Sequence, residues 1–294
     1  MRLTRMSDMT PESEALDASA CLRPLDPGSV PLASLGNQVE ENPWGYAKRL
    51  RFIKEAITAE YAGRSPGSIR VLDVGCGNGS LIAIPLARCG FAVTGIDLHR
   101  PSIEHARRLG SAMPNARFME TPVADLVTLL FDVIILSEVM EHVSDPESLL
   151  LDSLRHLKPQ GIVLITVPNG YGEFEIDWWI FRTFHLQRAI DLIRRFRACG
   201  SVPSAPQHPQ DVPATDNQVC GHVQFFRRGR LRKLFQRCSL AIAKESAGGF
   251  ICGPVVCYTL ARYRRFIEWN VRIADKLPLA LVSSWYFVLR RVND

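Results

Sequence analysis

Two carboxylates and an imidazole stand close together near the middle of the chain, at Glu138, Glu141 and His142. Residues three or four positions apart face the same side of a helical turn, so one turn can bring Glu138 beside either of the others. Such a group can hold a hard divalent cation such as Mg²⁺, or His142 can act as a general base. A third interpretation stays open, in which Glu138 only orients a bound ligand and His142 packs.

A second group of candidate residues surrounds three glycines, Gly75, Gly77 and Gly79, where a buried strand is predicted to turn into a helix. Glycine allows a tight turn and lets the backbone approach a ligand closely, as an adenosine-containing cofactor requires. Asp97 follows 22 residues after Gly75, at the predicted end of the next strand. A carboxylate there can accept hydrogen bonds from both hydroxyls of a ribose.

The composition of the glycine loop argues against a dinucleotide. Ser80 stands where a dinucleotide fingerprint has its third glycine. Asp73, two residues before Gly75, adds negative charge that would repel a pyrophosphate but suits a ligand carrying an ammonium group. The loop therefore favours a cationic adenosine cofactor.

The run Asp-Val-Gly-Cys-Gly-Asn-Gly at residues 73–79, with Asp97 after it, resembles the first motif of class I S-adenosylmethionine-dependent methyltransferases. The segment from Glu138 to His142 is similar to the Glu-x-x-Glu-His element of ubiquinone-biosynthesis O-methyltransferases and of small-RNA 2′-O-methyltransferases. The resemblance implies S-adenosylmethionine as cofactor. It also implies a Rossmann-like fold with a mostly parallel, seven-stranded sheet.

The resemblance further assigns roles to individual residues. It places Asp97 on the ribose, the loop on the methionine part, and either Glu120 or Asp125 on the adenine, although neither acid has the family's usual neighbours. The residues expected to contact the cofactor are Asp73, Gly75, Cys76, Gly77, Gly79, Asp97, Glu120 and Asp125. His222 begins a His-x-x-Phe-Phe stretch of the kind found in similar methyltransferases. The expected catalytic residues are therefore His142, Glu138 and His222, and the expected metal ligands are Glu138, Glu141, His142 and His222.

Apolar runs alternate with helical periodicity from residue 69 onward, which indicates a doubly wound α/β fold with a parallel sheet covered on both faces. The predicted strands are 69–74, 92–96, 117–119, 132–136, 161–167, 241–244 and 283–288. The predicted helices are 44–61, 80–89, 101–109, 146–156, 180–198 and 230–238. In the first helix, Lys48 and Arg49 are expected outside the face formed by Leu50 and Ile53. In the second, Pro85 is expected to bend the helix or delay its start.

The chain is predicted to form one methyltransferase domain over residues 44–294. Residues 1–43 are rich in Ser, Pro, Asp and Glu and are expected to be a disordered leader. Residues 171–221 interrupt the alternation and are expected to be a helical insertion or lid that precedes the last helix and strands.

The charge of the 294-residue chain is unevenly distributed. The net charge is +5, yet residues 1–177 hold 23 acidic and 16 basic residues, whereas residues 178–294 hold 7 and 19. A basic half suits an anionic acceptor or an anionic lipid surface. Nucleic acid is not expected as a partner, because no RNA-binding module is recognisable, and no specific protein partner is inferred.

The cysteines and the apolar runs bear on location. Eight scattered cysteines without a Cys-x-x-Cys pair favour free thiols in a reducing compartment. The longest apolar run, 277–289, is too short to span a bilayer, which takes about 20 residues. These features predict a cytoplasmic protein, with contact to the inner face of a membrane as an open alternative.

Methyl transfer from a sulfonium is an in-line displacement whose donor is already activated, so the protein must align the acceptor and remove its proton. A hydroxyl needs that deprotonation more than an amine does. The candidate base therefore predicts O-methylation of a small or lipid-linked acceptor. Two alternatives remain: RNA 2′-O-methylation, and a catalytically silent cofactor-binding or scaffold protein.

Overall fold

A computed structural model describes residues 41–126, 129–170, 183, 223–253, 256, 260 and 263–292. Its helices are α1 (Tyr46–Glu60), α2 (Ala83–Arg88), α3 (Arg100–Leu109), α4 (Pro146–Leu154), α5 (Arg228–Arg237) and α6 (Arg264–Ala274). Its strands are β1 (Arg70–Val74), β2 (Ala92–Asp97), β3 (Ala116–Glu120), β4 (Phe131–Ser137), β5 (Leu157–Pro168), β6 (Leu240–Ala247) and β7 (Ser284–Arg291). The predicted leader up to residue 40 and the predicted insertion, apart from residue 183, lie outside the described residues.

The seven strands form one sheet in the order β3-β2-β1-β4-β5-β7-β6. Strands β1 to β5 run parallel, and β7 pairs antiparallel with both β5 and β6. The strand order reverses between β1 and β4, and in such sheets ligands bind beyond the carboxyl ends of the strands at that switch point. The predicted doubly wound, mostly parallel sheet is confirmed.

Each face of the sheet has its own apolar core, because successive strand residues point to opposite sides. Val71 and Val133 lie in the core that contains Ile53 and Ile57 of α1. Leu72 lies in the other core, together with residues of α4 and α5. The central strands are therefore buried on both sides, which explains why their sequences are apolar throughout.

The helix starts follow local sequence signals. Helix α2 begins at Ala83 rather than residue 80, with Pro85 in its first turn, so the delayed start is confirmed. Asp145 caps α4 by accepting hydrogen bonds from the backbone N–H groups of Glu147 and Ser148, at 3.1 and 3.0 Å. Helix α6 has no counterpart among the predicted helices.

Strand β5 begins earlier than its apolar run. It extends from Leu157 rather than from residue 161, with a register shift in the pairing with β4 between Phe131 and Val133.

Within the described ranges, no helix is long and apolar enough to cross a membrane.

Candidate active site

The glycine loop joins β1 to α2 and depends on backbone conformations that favour glycine. Gly75, Gly77 and Gly79 have φ values of 69°, 55° and 75°, in the left-handed region. A Cβ atom on Gly75 would lie 2.5 Å from Cγ2 of Val139, in the turn that follows β4. The loop therefore contacts the segment that carries Glu138 and Glu141.

Asp97, at the carboxyl end of β2, stabilises this loop through hydrogen bonds. One oxygen of its carboxylate accepts a hydrogen bond from the Gly77 backbone N–H and the other from the His99 N–H, each at 2.8 Å. The Cys76 backbone N–H donates to the carbonyl of Ile96 at 2.9 Å. A carboxylate has about four acceptor positions, so Asp97 keeps acceptor capacity for the two hydroxyls of a ribose.

Asp73 lies beneath the loop with 2% of its surface exposed. Burial and the nearby charge of Asp97 raise its pKa to about 8, against the opposing effect of a hydrogen bond from the Ala83 backbone N–H. A nearby cation favours the ionised form of such a carboxyl. The paired acids and the glycine turn therefore fit a ligand that carries a positive charge and a ribose, such as S-adenosylmethionine.

The other predicted cofactor residues occupy different surroundings. The side chain of Cys76 points at β2, since a Cβ on Gly95 would lie 2.8 Å from its sulfur, and burial raises the pKa of this thiol. Glu120 ends β3 in register with Asp97 and lies 3.9 Å from Arg100. Asp125 is exposed at the end of a short 3₁₀ turn, Val123–Asp125. Of the two candidate adenine contacts, Glu120 is the one that pairs in register with Asp97.

Glu138 occupies a strained position directly after β4. Its φ of 54° is unusual for a residue with a side chain and is worth about 1–3 kcal/mol of strain. Its backbone N–H donates to the carbonyl of Thr166 at 2.9 Å, and the Thr166 hydroxyl donates to Glu138 Oε1 at 2.9 Å. The hydroxyls of Thr166 and Ser137 are themselves 2.9 Å apart. Neighbouring β5 thus fixes the backbone and the carboxylate of Glu138.

Glu141 and His142 follow in the short turn Met140–His142. Glu141 is 1% exposed, and its pKa lies well above the usual range because of burial and the charge of Glu138. Its Oε1 is 3.8 Å from Nε2 of His142, while its Oε2 is buried and accepts no hydrogen bond from the described residues. The exposed fractions of the Glu138 and His142 side chains are 26% and 11%. Glu138 is therefore the carboxylate of this turn that can reach a ligand.

Arg49 of α1 was expected to face solvent, and that prediction was wrong. Its guanidinium is buried, with Nη2 3.4 Å from Oε1 of Glu138. Lys48 is buried as well, where its ammonium contacts Asp275 at 2.6 Å. A helical signal was present for Arg49, because it precedes the buried residues Ile53 and Ala56 by four and seven positions.

The described residues do not assemble the predicted metal site. No group of three or more potential ligands comes together among them. His222, expected as a ligand and as a catalytic residue, lies outside the described residues. The segment just after it is tied to the turn, since the backbone N–H groups of Val223 and Gln224 both donate to the Glu141 carbonyl at 2.9 Å.

Comparisons with known proteins identify relatives of similar sequence. The chain is 39% identical over 123 residues to a ubiquinone biosynthesis O-methyltransferase of Rickettsia akari, covering 41% of this chain and 48% of that protein. It is 34% identical over 128 residues to the Maricaulis maris protein of the same name, covering 41% and 50%. The chain thus spans about half the length of these relatives.

Solved structures of other proteins share the fold. Magnesium protoporphyrin IX methyltransferase of Synechocystis, solved with bound S-adenosylhomocysteine, aligns over 93% of this chain and 92% of its own with a TM-score of 0.52 and 15% identity. The cyclase SpnF aligns over 89% and 92% with a TM-score of 0.50 and 14% identity. Because a cyclase shares this fold, the fold alone does not determine the reaction.

The family model for a methyltransferase domain matches residues 46–245. That range contains the glycine loop, Asp97 and the turn that carries Glu138. The predicted family membership is therefore confirmed: the chain belongs to the methyltransferase-domain family.

Proposed function

We propose that the protein is an S-adenosylmethionine-dependent methyltransferase that methylates a hydroxyl group of a small or lipid-linked acceptor. The observation that carries this proposal is the contact between Gly75 of the glycine loop and Val139 of the turn after β4. It joins a nucleoside-binding loop to a carboxylate, Glu138, that is partly exposed at the switch point of the sheet. The intact loop, with Asp73 and Asp97 in place, speaks against a silent scaffold.

When bound, S-adenosylmethionine supplies a methyl group already activated by its sulfonium. In the proposed reaction, Asp97 holds the ribose and the buried acid Asp73 provides negative charge near the cationic part of the cofactor. Glu138 faces the acceptor and takes the proton from its hydroxyl. His142 is a second candidate for that proton.

The O-methyl assignment is supported by the names of the relatives and by the chemistry of the turn. Both relatives are named as O-methyltransferases of ubiquinone biosynthesis. Transfer to oxygen needs a base, and the turn offers the partly exposed carboxylate of Glu138. A prenylated catechol is therefore the first acceptor to test.

The test is transfer of a labelled methyl group from S-adenosylmethionine to a short-chain prenylated catechol, with a prenylated aniline as the matched amine acceptor. The proposal predicts label on the catechol oxygen and little on the amine. Turnover of the aniline alone would assign N-methylation and contradict the proposal. Glu138→Gln and His142→Gln, measured in parallel, identify which side chain takes the proton.

We further propose that the acceptor is met at an anionic membrane surface. Helix α6 presents Trp269, 47% exposed, on the same helical face as Arg265 and Arg272. Tryptophan and arginine together suit the boundary between lipid headgroups and water. Sedimentation with anionic vesicles at low salt, reduced at high salt and weak with zwitterionic vesicles, is the expected result. Equal binding to both vesicle types, or none, would contradict it.

A further inference from the structure

Arg49 lies on α1, the first helix described, and its side chain contacts Glu138 in the turn after β4. We propose that Arg49 is a positioning residue of methyl transfer, whose guanidinium holds the Glu138 carboxylate where it meets the acceptor. This inference rests on the function proposed above, because it concerns the residue assigned there to the acceptor hydroxyl. It assigns a role in the reaction to a side chain outside the glycine loop and the acidic turn.

The contact is a buried ion pair. Nη2 of Arg49 lies 3.4 Å from Oε1 of Glu138, and the exposed fractions of the two side chains are 8% and 26%. A buried guanidinium is strongly unfavourable unless a charge and hydrogen bonds compensate it. Glu138 supplies the charge, and the Tyr46 ring lies 5.4 Å from the guanidinium carbon. The charge of Arg49 also acts on Glu141, but Glu138 is the carboxylate that the guanidinium contacts.

The left-handed backbone conformation of Glu138 must be stabilised by its surroundings, which include Arg49. A non-glycine residue at a φ of 54° keeps that conformation only when its surroundings over-determine it. Thr166 makes two hydrogen bonds with Glu138, but both link the turn to β5, on one side of the turn. Arg49 approaches from α1 and adds a charged contact to the same carboxylate oxygen, Oε1.

Lys48 provides a matched control on the same helix. Its side chain is 7% exposed and forms an ion pair with Asp275 at 2.6 Å. Its ammonium also donates to the carbonyls of Gly248 and Val271, at 2.9 and 3.0 Å. Removing the charge of Lys48 therefore also removes buried polar contacts of α1, but it leaves the Glu138 contact in place.

The first test is structural and needs no acceptor. Crystal structures of Arg49→Met and Lys48→Met would be solved with S-adenosylhomocysteine, next to the wild-type protein. We expect Glu138 to leave its left-handed conformation, or its carboxylate to rotate away, in Arg49→Met alone. An unchanged Glu138 in Arg49→Met would overturn the proposal.

The second test separates positioning from stability. Arg49→Met is expected to lower kcat for the prenylated catechol about 100-fold, since a misplacement near 1 Å can have that effect, while the Kd for S-adenosylmethionine changes less than about threefold. Lys48→Met should keep kcat within about threefold despite a similar fall in thermal stability. Equal losses of kcat in the two variants would show a merely structural role and overturn the proposal.

Arg49→Lys keeps the charge but loses the planar guanidinium. We expect Arg49→Lys to retain more of kcat than Arg49→Met. If Arg49→Met does not fold, Arg49→Lys replaces it in both tests. A lysine variant no better than the methionine variant, at equal stability, would count against positioning by charge. If the wild-type protein does not methylate the catechol, the function proposed above fails, whereas the crystal structures still decide whether Arg49 positions Glu138.

Discussion

The two sides of the site are built by different means. On the donor side, meaning the glycine loop with Asp73 and Asp97, the geometry comes from backbone conformation and from two backbone N–H groups that reach one carboxylate. On the acceptor side, meaning the turn from Glu138 to His142, it comes from side chains of β5 and α1. The donor side depends on residues within one short stretch of sequence, whereas the acceptor side depends on residues far apart in the chain.

The largest effect should come from adding one methyl group to the donor side. Gly75→Ala forces a left-handed alanine, at about 1–2 kcal/mol, and places its Cβ 2.5 Å from Val139, where overpacking adds about 1–3 kcal/mol. We expect urea unfolding to show the combined loss, and calorimetry to show no binding of S-adenosylmethionine. Gly229→Ala is the control, because no atom lies within 4 Å of its added Cβ. A Gly75→Ala protein as stable as this control would show that the two sides do not depend on that contact.

On the acceptor side, Glu138→Gln should separate chemistry from cofactor binding. It removes the proposed proton acceptor and is expected to lower kcat about 100-fold, with the Kd for S-adenosylmethionine unchanged. Initial rates and calorimetry on the same preparation measure both quantities. A variant that binds the cofactor poorly, but turns over what it binds at the normal rate, would place Glu138 on the donor side instead.

Asp97→Asn should weaken binding of the cofactor and leave kcat nearly unchanged. The amide keeps the size of the side chain but loses the charge that strengthens the hydrogen bonds from Gly77 and His99, a change of about 1–2 kcal/mol. We expect the Kd for S-adenosylmethionine to rise about 10-fold while kcat at saturating cofactor stays near normal. Asp152→Asn, on α4 away from the loop, is the control. A fall in kcat at saturating cofactor would contradict the assignment of Asp97 to the donor side alone.

A pH dependence carried by Asp73 is expected in the stability of the ligand-free protein. Its pKa in the folded protein, about 8, lies above the ordinary value of 3.8 because of burial and then the charge of Asp97. The folded state therefore binds more protons between these values, so the stability of the ligand-free protein should fall as the pH rises through that window. Urea unfolding across the window measures the slope, and Asp73→Asn should flatten it. A stability that rises with pH in both proteins would contradict the assignment.

The difference between the two sides also explains what could be predicted from sequence. Strand β2, Asp97 and the glycine loop follow from local patterns, and the structure places them within a residue or two of the prediction. Arg49 was misassigned because a charged residue on a helix is normally exposed, and its carboxylate partner is 89 positions away. The strain at Glu138 has no local signal, since it arises from contacts with β5.

Helix α6 was missed although its sequence carries a helical signal. Ile267, Val271 and Ala274 lie four and three positions apart, which is helical spacing. Four of its eleven residues are charged, and only Asn270, Val271 and Ala274 are buried. Its position depends on tertiary contacts, such as the hydrogen bond from the Lys48 ammonium to the Val271 carbonyl.

The proposed function requires that the donor side binds S-adenosylmethionine. Titration calorimetry of that compound into the full chain tests this most directly. We expect one binding site in the wild-type protein and no measurable heat of binding in Asp97→Ala, with Asp152→Ala binding normally. Absence of binding to the folded wild-type protein, or equal binding to the Asp97→Ala variant, would contradict it.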